Sequence, residues 1–147
     1  MDADFAGYLR SRVQTVVSLV RALRQAAQPV PVSAYLGSGP AGTDGGWASG
    51  LVAEALVAAE ALDTALVGMY GFSPPEARRA YATARATVQD RAEVGAMLSG
   101  IAPDVTTSEE IVGTVRALAE MGLGRVNIYN YGLMRRPVLA ALGRALA

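Results

Sequence analysis

Four short apolar segments recur at intervals of about 30 residues, starting near residues 31, 64, 92 and 125. Each is followed by a stretch in which apolar residues return every three or four positions, which is typical of an amphipathic helix. Strands that alternate with helices in this way lie parallel to one another, and helices cover their apolar side chains. The repeat therefore predicts an α/β fold of four βα units in one domain, residues 1–147.

Turn residues and helix caps set the limits of these elements. A serine or threonine followed three residues later by glutamate, at Ser73 and Glu76 and again at Thr107 and Glu110, indicates two helix starts with capping boxes. The predicted strands cover residues 30–36, 64–70, 92–98 and 125–129. The predicted helices cover residues 5–27, 47–62, 73–89, 107–122 and 137–147.

Two architectures contain four consecutive βα units. One is a doubly wound parallel sheet, and the other is half of an eight-stranded βα barrel, whose complete form needs about 250 residues. The chain begins with a helix rather than a strand, and this helix resembles the end of an earlier βα unit. We therefore expect a partial (half) TIM barrel with parallel strands.

Composition excludes several classes of function. The 13 basic side chains are all arginine and balance 13 carboxylates, so the chain lacks the net positive charge typical of proteins that bind nucleic acid or a membrane surface. Cysteine and histidine are absent, which excludes disulfides, Cys/His zinc sites and catalytic Ser-His pairs. Acidic residues close to residue 1, and the lack of an apolar run of about 18 residues, predict a cytoplasmic protein without a membrane segment.

Candidate ligand-binding residues follow the strands, because ligands of both architectures lie beyond the carboxyl ends of parallel strands. Three of the four predicted strands are expected to end in tyrosine, at Tyr35, Tyr70 and Tyr129, and Asn130 follows the last of them. Aromatic rings with one amide suit sugars, whose C–H faces stack on rings while their hydroxyls form hydrogen bonds. The alternative is that these tyrosines are ordinary strand residues that cover the end of the sheet.

Carboxylates for glycoside cleavage are scarce at this end of the strands. Cleavage needs two carboxylates about 5 to 9.5 Å apart, and only Asp44 and Asp104 fall in loops on the ligand side. Both have turn-like neighbours, while Glu76, Glu109 and Glu110 are accounted for as residues that start helices. We therefore expect that the isolated chain does not hydrolyse glycosides at an enzymatic rate.

A candidate phosphate site lies near the last helix. Arg135 and Arg136 precede this helix, and Gly100 and Gly132 follow the third and fourth strands, where βα barrels often bind phosphate. The alternative is a solvated pair of arginines. The glycine-rich segment 37–42 lacks the lysine of a P-loop and the GxGxxG order, so no nucleotide site is expected there. No metal site and no cofactor are predicted.

Two segments resemble glycoside-hydrolase-type TIM barrels. Ala61–Tyr70, which ends in Met-Tyr, is similar to the Met-x-Tyr-Asp strand of the chitinase-like family, and Met121–Gly132, which contains Tyr-Asn-Tyr-Gly, resembles the closing strand of uncharacterised bacterial glycosidase-like barrels. The resemblance covers the whole chain, aligned with the C-terminal half of such a barrel. It implies that Tyr70 contacts substrate. Gly71 stands where the chitinase-like strand has aspartate, and the catalytic acid of that family has no counterpart in this chain.

These observations together predict a carbohydrate-related, glycoside-hydrolase-like barrel fragment that lacks the full catalytic carboxylate pair. The alternatives are a non-catalytic homo-oligomeric binding or assembly module and a sugar-phosphate-binding enzyme. Four parallel strands rolled as half a barrel leave two edges unpaired, so we expect a homo-oligomer, or a missing N-terminal barrel half, to complete them. Contacts are expected from the first helix and from the strands near Val32 and Ile128.

Overall fold

Helices and strands alternate along the chain in the computed structural model, which describes residues 3–38 and 50–146. The helices are α1 (Ala3–Ala27), α2 (Ala53–Ala58), α3 (Pro74–Val88), α4 (Ser108–Ala119) and α5 (Arg136–Leu146). The strands are β1 (Ser33–Ser38), β2 (Thr64–Gly68), β3 (Glu93–Ser99) and β4 (Val126–Tyr129), and a 3-10 turn covers Tyr131–Leu133. Each strand is followed by a helix, as the sequence repeat predicts.

The four strands form one parallel sheet in the order β1-β2-β3-β4. Parallel strands are joined by right-handed crossovers, so helices that connect successive neighbours all lie on one face of the sheet. A doubly wound sheet reverses its strand order to cover both faces, and this sheet has no reversal. The predicted α/β fold with four βα units is confirmed, and its sequential strand order is compatible with half of a βα barrel.

The hydrophobic core lies on one face of this sheet. Alternate residues of β2 and β3, such as Val67 and Leu98, are buried in one cluster with residues of the helices, such as Leu118 of α4. Successive side chains of a strand point to opposite faces. The intervening residues, among them Leu66 and Met97, therefore lie on the face away from this cluster, which we call the inner face.

Helix α1 is attached to the rest of the molecule more loosely. None of its residues is buried, and Val17 and Val20 are half-buried against the core. An ion pair adds to this packing, because Nη2 of Arg24 donates a hydrogen bond to Oδ1 of Asp63 at 2.6 Å. Although α1 is 25 residues long, neither it nor another helix in the described ranges is both long and apolar enough to cross a membrane.

Both predicted capping boxes are present and start the helices as expected. Glu76 accepts a hydrogen bond from the backbone N–H of Ser73 at 2.8 Å. In the second box, the backbone N–H of Glu110 donates to the hydroxyl of Thr107 at 3.4 Å, and the carboxylate of Glu110 accepts the N–H of Thr107 at 3.3 Å. These local signals were sufficient because each pairs groups within one helical turn.

Helix ends were harder to predict. The second helix covers only Ala53–Ala58, and Trp47, where we expected it to begin, lies outside the described residues. The chain leaves this helix through Glu60, whose φ of 50° is left-handed, and the N–H of Ala61 donates to the carbonyl of Leu56 at 2.9 Å. Helices usually make this turn with glycine, so a glutamate gave no signal of the helix end.

Helix α4 also ends before its predicted limit, at Ala119 rather than at Gly122. The N–H of Leu123 donates to the carbonyl of Leu118 at 3.1 Å, and Gly122 has a φ of 82°. The glycine therefore reverses the chain beyond the helix and does not belong to it.

The strand ends correct one expectation about the tyrosines. Strand β1 continues to Ser38, which pairs with Gly68 after a register shift, so Tyr35 lies inside the strand. Tyr70 lies two residues beyond the end of β2. Of the four strands, only β4 ends in a tyrosine, Tyr129.

Candidate functional site

Three tyrosines, one within β1, one shortly after β2 and one at the end of β4, bring their rings together toward the carboxyl edge of the sheet. The rings of Tyr35 and Tyr70 have centroids 6.1 Å apart and planes 17° apart, and those of Tyr70 and Tyr129 are 5.5 Å and 28° apart. Tyr35 pairs with Leu66 in the sheet, which places the rings on the inner face. We call Tyr35, Tyr70 and Tyr129 the tyrosine row.

The tyrosine row offers different surfaces along its length. Tyr70 stands between two roughly parallel rings, which restrict access to both of its faces, and burial raises its pKa to about 12, with smaller contributions from Tyr35 and other neighbours. Its hydroxyl is therefore protonated at physiological pH and can donate a hydrogen bond. Tyr129 stands at the end of the row with 49% of its surface exposed. The row thus combines the half-buried phenol of Tyr70, which is hydrogen-bonded with Tyr35, and the accessible ring of Tyr129.

Asn130 follows the tyrosine row directly and has a clear backbone role. Its φ and ψ are 59° and 41°, a left-handed conformation that asparagine tolerates better than most residues. Its carbonyl accepts the N–H of Leu133 at 2.9 Å, while its side chain makes no capping hydrogen bond to the 3-10 turn. The backbone explains why asparagine suits this position, and the amide group is not used by the turn.

A cavity of about 340 Å³ lies on the other side of the same strand ends. It opens between the loop after β2 and the loop after β3, with Met69, Leu98 and Ile111 among its apolar walls. Its polar walls come from Ser73, Ser99, Asp104, Thr106, Glu110 and Thr114. The hydroxyl of Thr114 is committed, because it donates to the carbonyl of Phe72 at 3.1 Å.

Asp104 and Glu110 both line this cavity, and the sequence had pointed only to Asp104. The carboxylate of Glu110 accepts the backbone N–H of Thr106 at 2.8 Å, the N–H of Thr107 at 3.3 Å and the hydroxyl of Thr106 at 3.0 Å. These hydrogen bonds, that of Thr106 first, lower the pKa of Glu110 from its ordinary value. A carboxyl group held ionised in this way is unsuited to protonate a leaving group.

The two arginines of the candidate phosphate site have different surroundings. The guanidinium of Arg135 donates to the carbonyl of Thr106 and lies close enough to Glu110 to help lower its pKa. Arg136 is exposed at the start of α5. Arg135 thus already donates a hydrogen bond to a backbone carbonyl and lies beside a carboxylate.

The two glycines of that candidate site differ in the space beside them. A Cβ atom added to Gly100 would lie 2.6 Å from the side chain of Met134, so methionine occupies the space beside this glycine. Gly132 lies in the 3-10 turn, where a Cβ would meet nothing within 4 Å. The expected phosphate site stays a prediction from the sequence.

Two other sequence candidates fall outside the described residues. These are Asp44 and most of the glycine-rich segment, residues 39–42. In the described part of the chain, no group of three or more acidic side chains is placed to hold a metal ion.

No family model matches this chain, and comparisons with curated proteins and with solved structures found no match.

Proposed function

We propose that this chain is a glycosidase-like βα half-barrel that binds carbohydrate at the tyrosine row. The supporting observation is that three stacked rings lie at the carboxyl edge of a parallel sheet and end in the half-exposed Tyr129. Ligands of βα folds bind at this edge. A sugar ring would stack its C–H face on Tyr129 and accept or donate hydrogen bonds at the hydroxyls of the row.

The test is binding of short oligosaccharides, chitotriose and cellotriose, measured by isothermal titration calorimetry. Tyr129→Ala should weaken binding about tenfold, because aromatic stacking contributes about 0.5–1.5 kcal/mol. Tyr129→Phe should retain most of the affinity. Tyr131→Ala is the matched control, since Tyr131 is a neighbouring exposed tyrosine outside the row.

Asn130 needs a substitution that preserves its backbone. Asn130→Gly keeps the left-handed conformation and removes only the amide, so a loss of affinity in this variant would assign the side chain to the ligand. Failure of the wild-type chain to bind either oligosaccharide would contradict the proposal. An equal loss in Tyr129→Ala and Tyr131→Ala would contradict the assignment to the row.

We further propose that the isolated chain binds glycosides without cleaving them. Asp104 and Glu110 share a cavity, but the capping bonds of Glu110 and its lowered pKa remove it as a general acid. No turnover of aryl glycosides is expected from the purified chain. Turnover that Asp104→Asn abolishes would show that this carboxyl group is catalytic.

The second candidate is a non-catalytic assembly module. It is favoured by the unpaired outer edges of β1 and β4, each of which has one neighbour among the described strands. Exposed strand edges present backbone N–H and C=O groups that another chain can pair with.

A further inference from the structure

Large exposed hydrophobic residues occur in only two parts of the described chain. Five lie in residues 3–30 and five lie in residues 129–146. They are Phe5, Tyr8, Leu19, Leu23 and Val30 in the first part and Tyr129, Tyr131, Leu133, Leu139 and Leu146 in the second. We call residues 3–30 the N-terminal flank and residues 129–146 the C-terminal flank. The two flanks adjoin the opposite edge strands of the sheet, β1 and β4.

The N-terminal flank has more apolar surface than the described residues cover. Helix α1 packs through one stripe that includes Val17 and Val20. A second stripe of Phe5, Tyr8 and Leu19, extended by Leu23, falls within about 60° of arc at 100° per residue, and Arg12 lies within the same arc. The rings of Phe5 and Tyr8 stack on each other 6.4 Å apart.

The C-terminal flank repeats this arrangement. Helix α5 buries Val138, Ala141 and Leu142. Leu139 and Leu146 are seven residues apart, which places them on one exposed stripe next to the buried one. Contiguous exposed apolar surface of this kind marks an interaction site.

Charge is divided along the chain in the same way. Residues 3–30 contain four arginines and one aspartate, and residues 129–146 contain three arginines and no acidic side chain. Residues 31–128 contain six arginines and eleven carboxylates. Arg24 pairs with Asp63 and Arg135 lies beside Glu110, and the remaining side chains leave both flanks net positive although the whole chain is neutral. Two copies that met flank to flank would bring like charges together, which opposes association.

The edge strands limit the chemistry of the partner further. Among the described strands, the outer edges of β1 and β4 are unpaired, and they present backbone N–H and C=O groups that a strand of another chain can pair with and a lipid surface cannot. We propose that the two flanks bind a second α/β chain whose own edges are apolar and acidic. A second copy of the wild-type chain is a poor partner, because its flanks are also positive. Four parallel strands from such a chain would raise the total to eight, the number in a closed βα barrel.

The test uses a charge-reversed copy of the full chain as the acidic partner. Arg10, Arg21, Arg136 and Arg144, all exposed, are changed to glutamate in this copy. Sedimentation velocity of the wild-type chain mixed with this copy at about 50 mM salt should show a 1:1 complex at least tenfold tighter than wild-type self-association. The complex should weaken at about 0.5 M salt, because salt screens attraction between exposed charges.

The matched control reverses four exposed arginines outside the flanks. These are Arg79, Arg85, Arg91 and Arg116. This copy has the same net charge as the flank variant, and it should not bind the wild-type chain. Equal binding by both copies would reduce the effect to non-specific attraction and overturn the proposal.

A milder variant covers the case in which charge reversal impairs folding. Changing the same four flank arginines to glutamine removes the repulsion, so this variant should self-associate at least tenfold more tightly than the wild type. If neither experiment yields a complex, the proposal is overturned. Tight wild-type dimers at about 50 mM salt would also overturn it, because they would assign the flanks to a second copy. Co-flotation with phosphatidylserine vesicles that depends on the flank arginines would overturn it as well.

Discussion

Helix α1 has 25 residues and buries none of them, whereas helix α4 has 12 residues and buries five. Both helices have apolar residues at helical spacing, so periodicity does not distinguish them. The difference is position: α4 follows a central strand and packs between α3 and α5, whereas α1 precedes the edge strand β1. An apolar stripe in the sequence shows that one face of a helix can be buried. The elements that lie beside the helix decide whether that face is buried.

The largest effect should separate these two helices directly. Leu118 in α4 is fully buried, and Leu118→Ala should lower the free energy of unfolding by about 3 kcal/mol because it leaves a cavity in the core. Leu19→Ala in α1 removes the same atoms from a side chain that is 58% exposed and should change stability by less than about 0.5 kcal/mol. Urea unfolding of both variants measures the two values. Similar losses would show that α1 is covered after all.

Two glycines extend the comparison to the backbone. A Cβ at Gly95, in the central strand β3, would lie 2.7 Å from Cδ2 of Leu66, so Gly95→Ala should destabilise the fold by about 1–3 kcal/mol. A Cβ at Gly143, in α5, would meet nothing within 4 Å. Gly143→Ala should therefore stabilise by about 0.5–1 kcal/mol through helix propensity. Thermal unfolding of the pair checks the opposite signs, and a gain in stability for Gly95→Ala would refute the close approach.

The attachment of α1 should depend on pH through Asp63. The hydrogen bond from Arg24, and then that from the N–H of Val32, lowers the pKa of Asp63 from its ordinary value. A lowered carboxyl pKa contributes stability above the unfolded-state pKa of about 4, and this contribution is lost as pH falls through the folded-state value. The melting temperatures of wild type and Asp63→Asn should differ at pH 6 and converge as the pH falls below about 4 and through the folded-state pKa of Asp63.

The exposed Asp90 provides the control for this experiment. Its carboxylate lies 3.7 Å from Arg85 with 94% of the side chain exposed, and a pair of this kind contributes little. Asp90→Asn should therefore follow the wild-type melting temperature across the same pH range. A difference between wild type and Asp63→Asn that persists at the acid end would show that the ion pair is not its cause.

The smallest effect is spectroscopic and compares a central tyrosine with one on the C-terminal flank. Burial raises the pKa of Tyr70 to about 12. When absorbance at 295 nm is read directly after rapid jumps to increasing pH, the rise caused by tyrosine ionisation should therefore include a late component, one that appears only near the high-pH end of the titration. Tyr70→Phe should remove this component. Tyr131→Phe, at an exposed position, should leave it unchanged. If the late component survives in Tyr70→Phe, the row does not bury this phenol.

Local sequence signals predicted much of the fold. The 30-residue repeat, the apolar strands and the capping boxes at Ser73 and Thr107 each depend on residues close together in the chain, and they predicted the element order and the α/β class. The ends of α2 and α4 were misplaced because a left-handed Glu60 ends one helix, and because Gly122 stands beyond the end of the other. Backbone conformation of this kind is weakly encoded in residue type.

The candidate site shows the same division. Sequence alone placed Tyr70 and Tyr129 near strand ends, but the sheet register and the side-chain alternation brought their rings together with Tyr35. Sequence assigned Glu110 to a helix start, and the packing of two loops also placed it in a cavity with Asp104. Residue types and local periodicity by themselves determined the elements. Contacts between distant segments determined strand order, the tyrosine row and the uncovered flanks, because such contacts depend on how elements pack and not on any one segment.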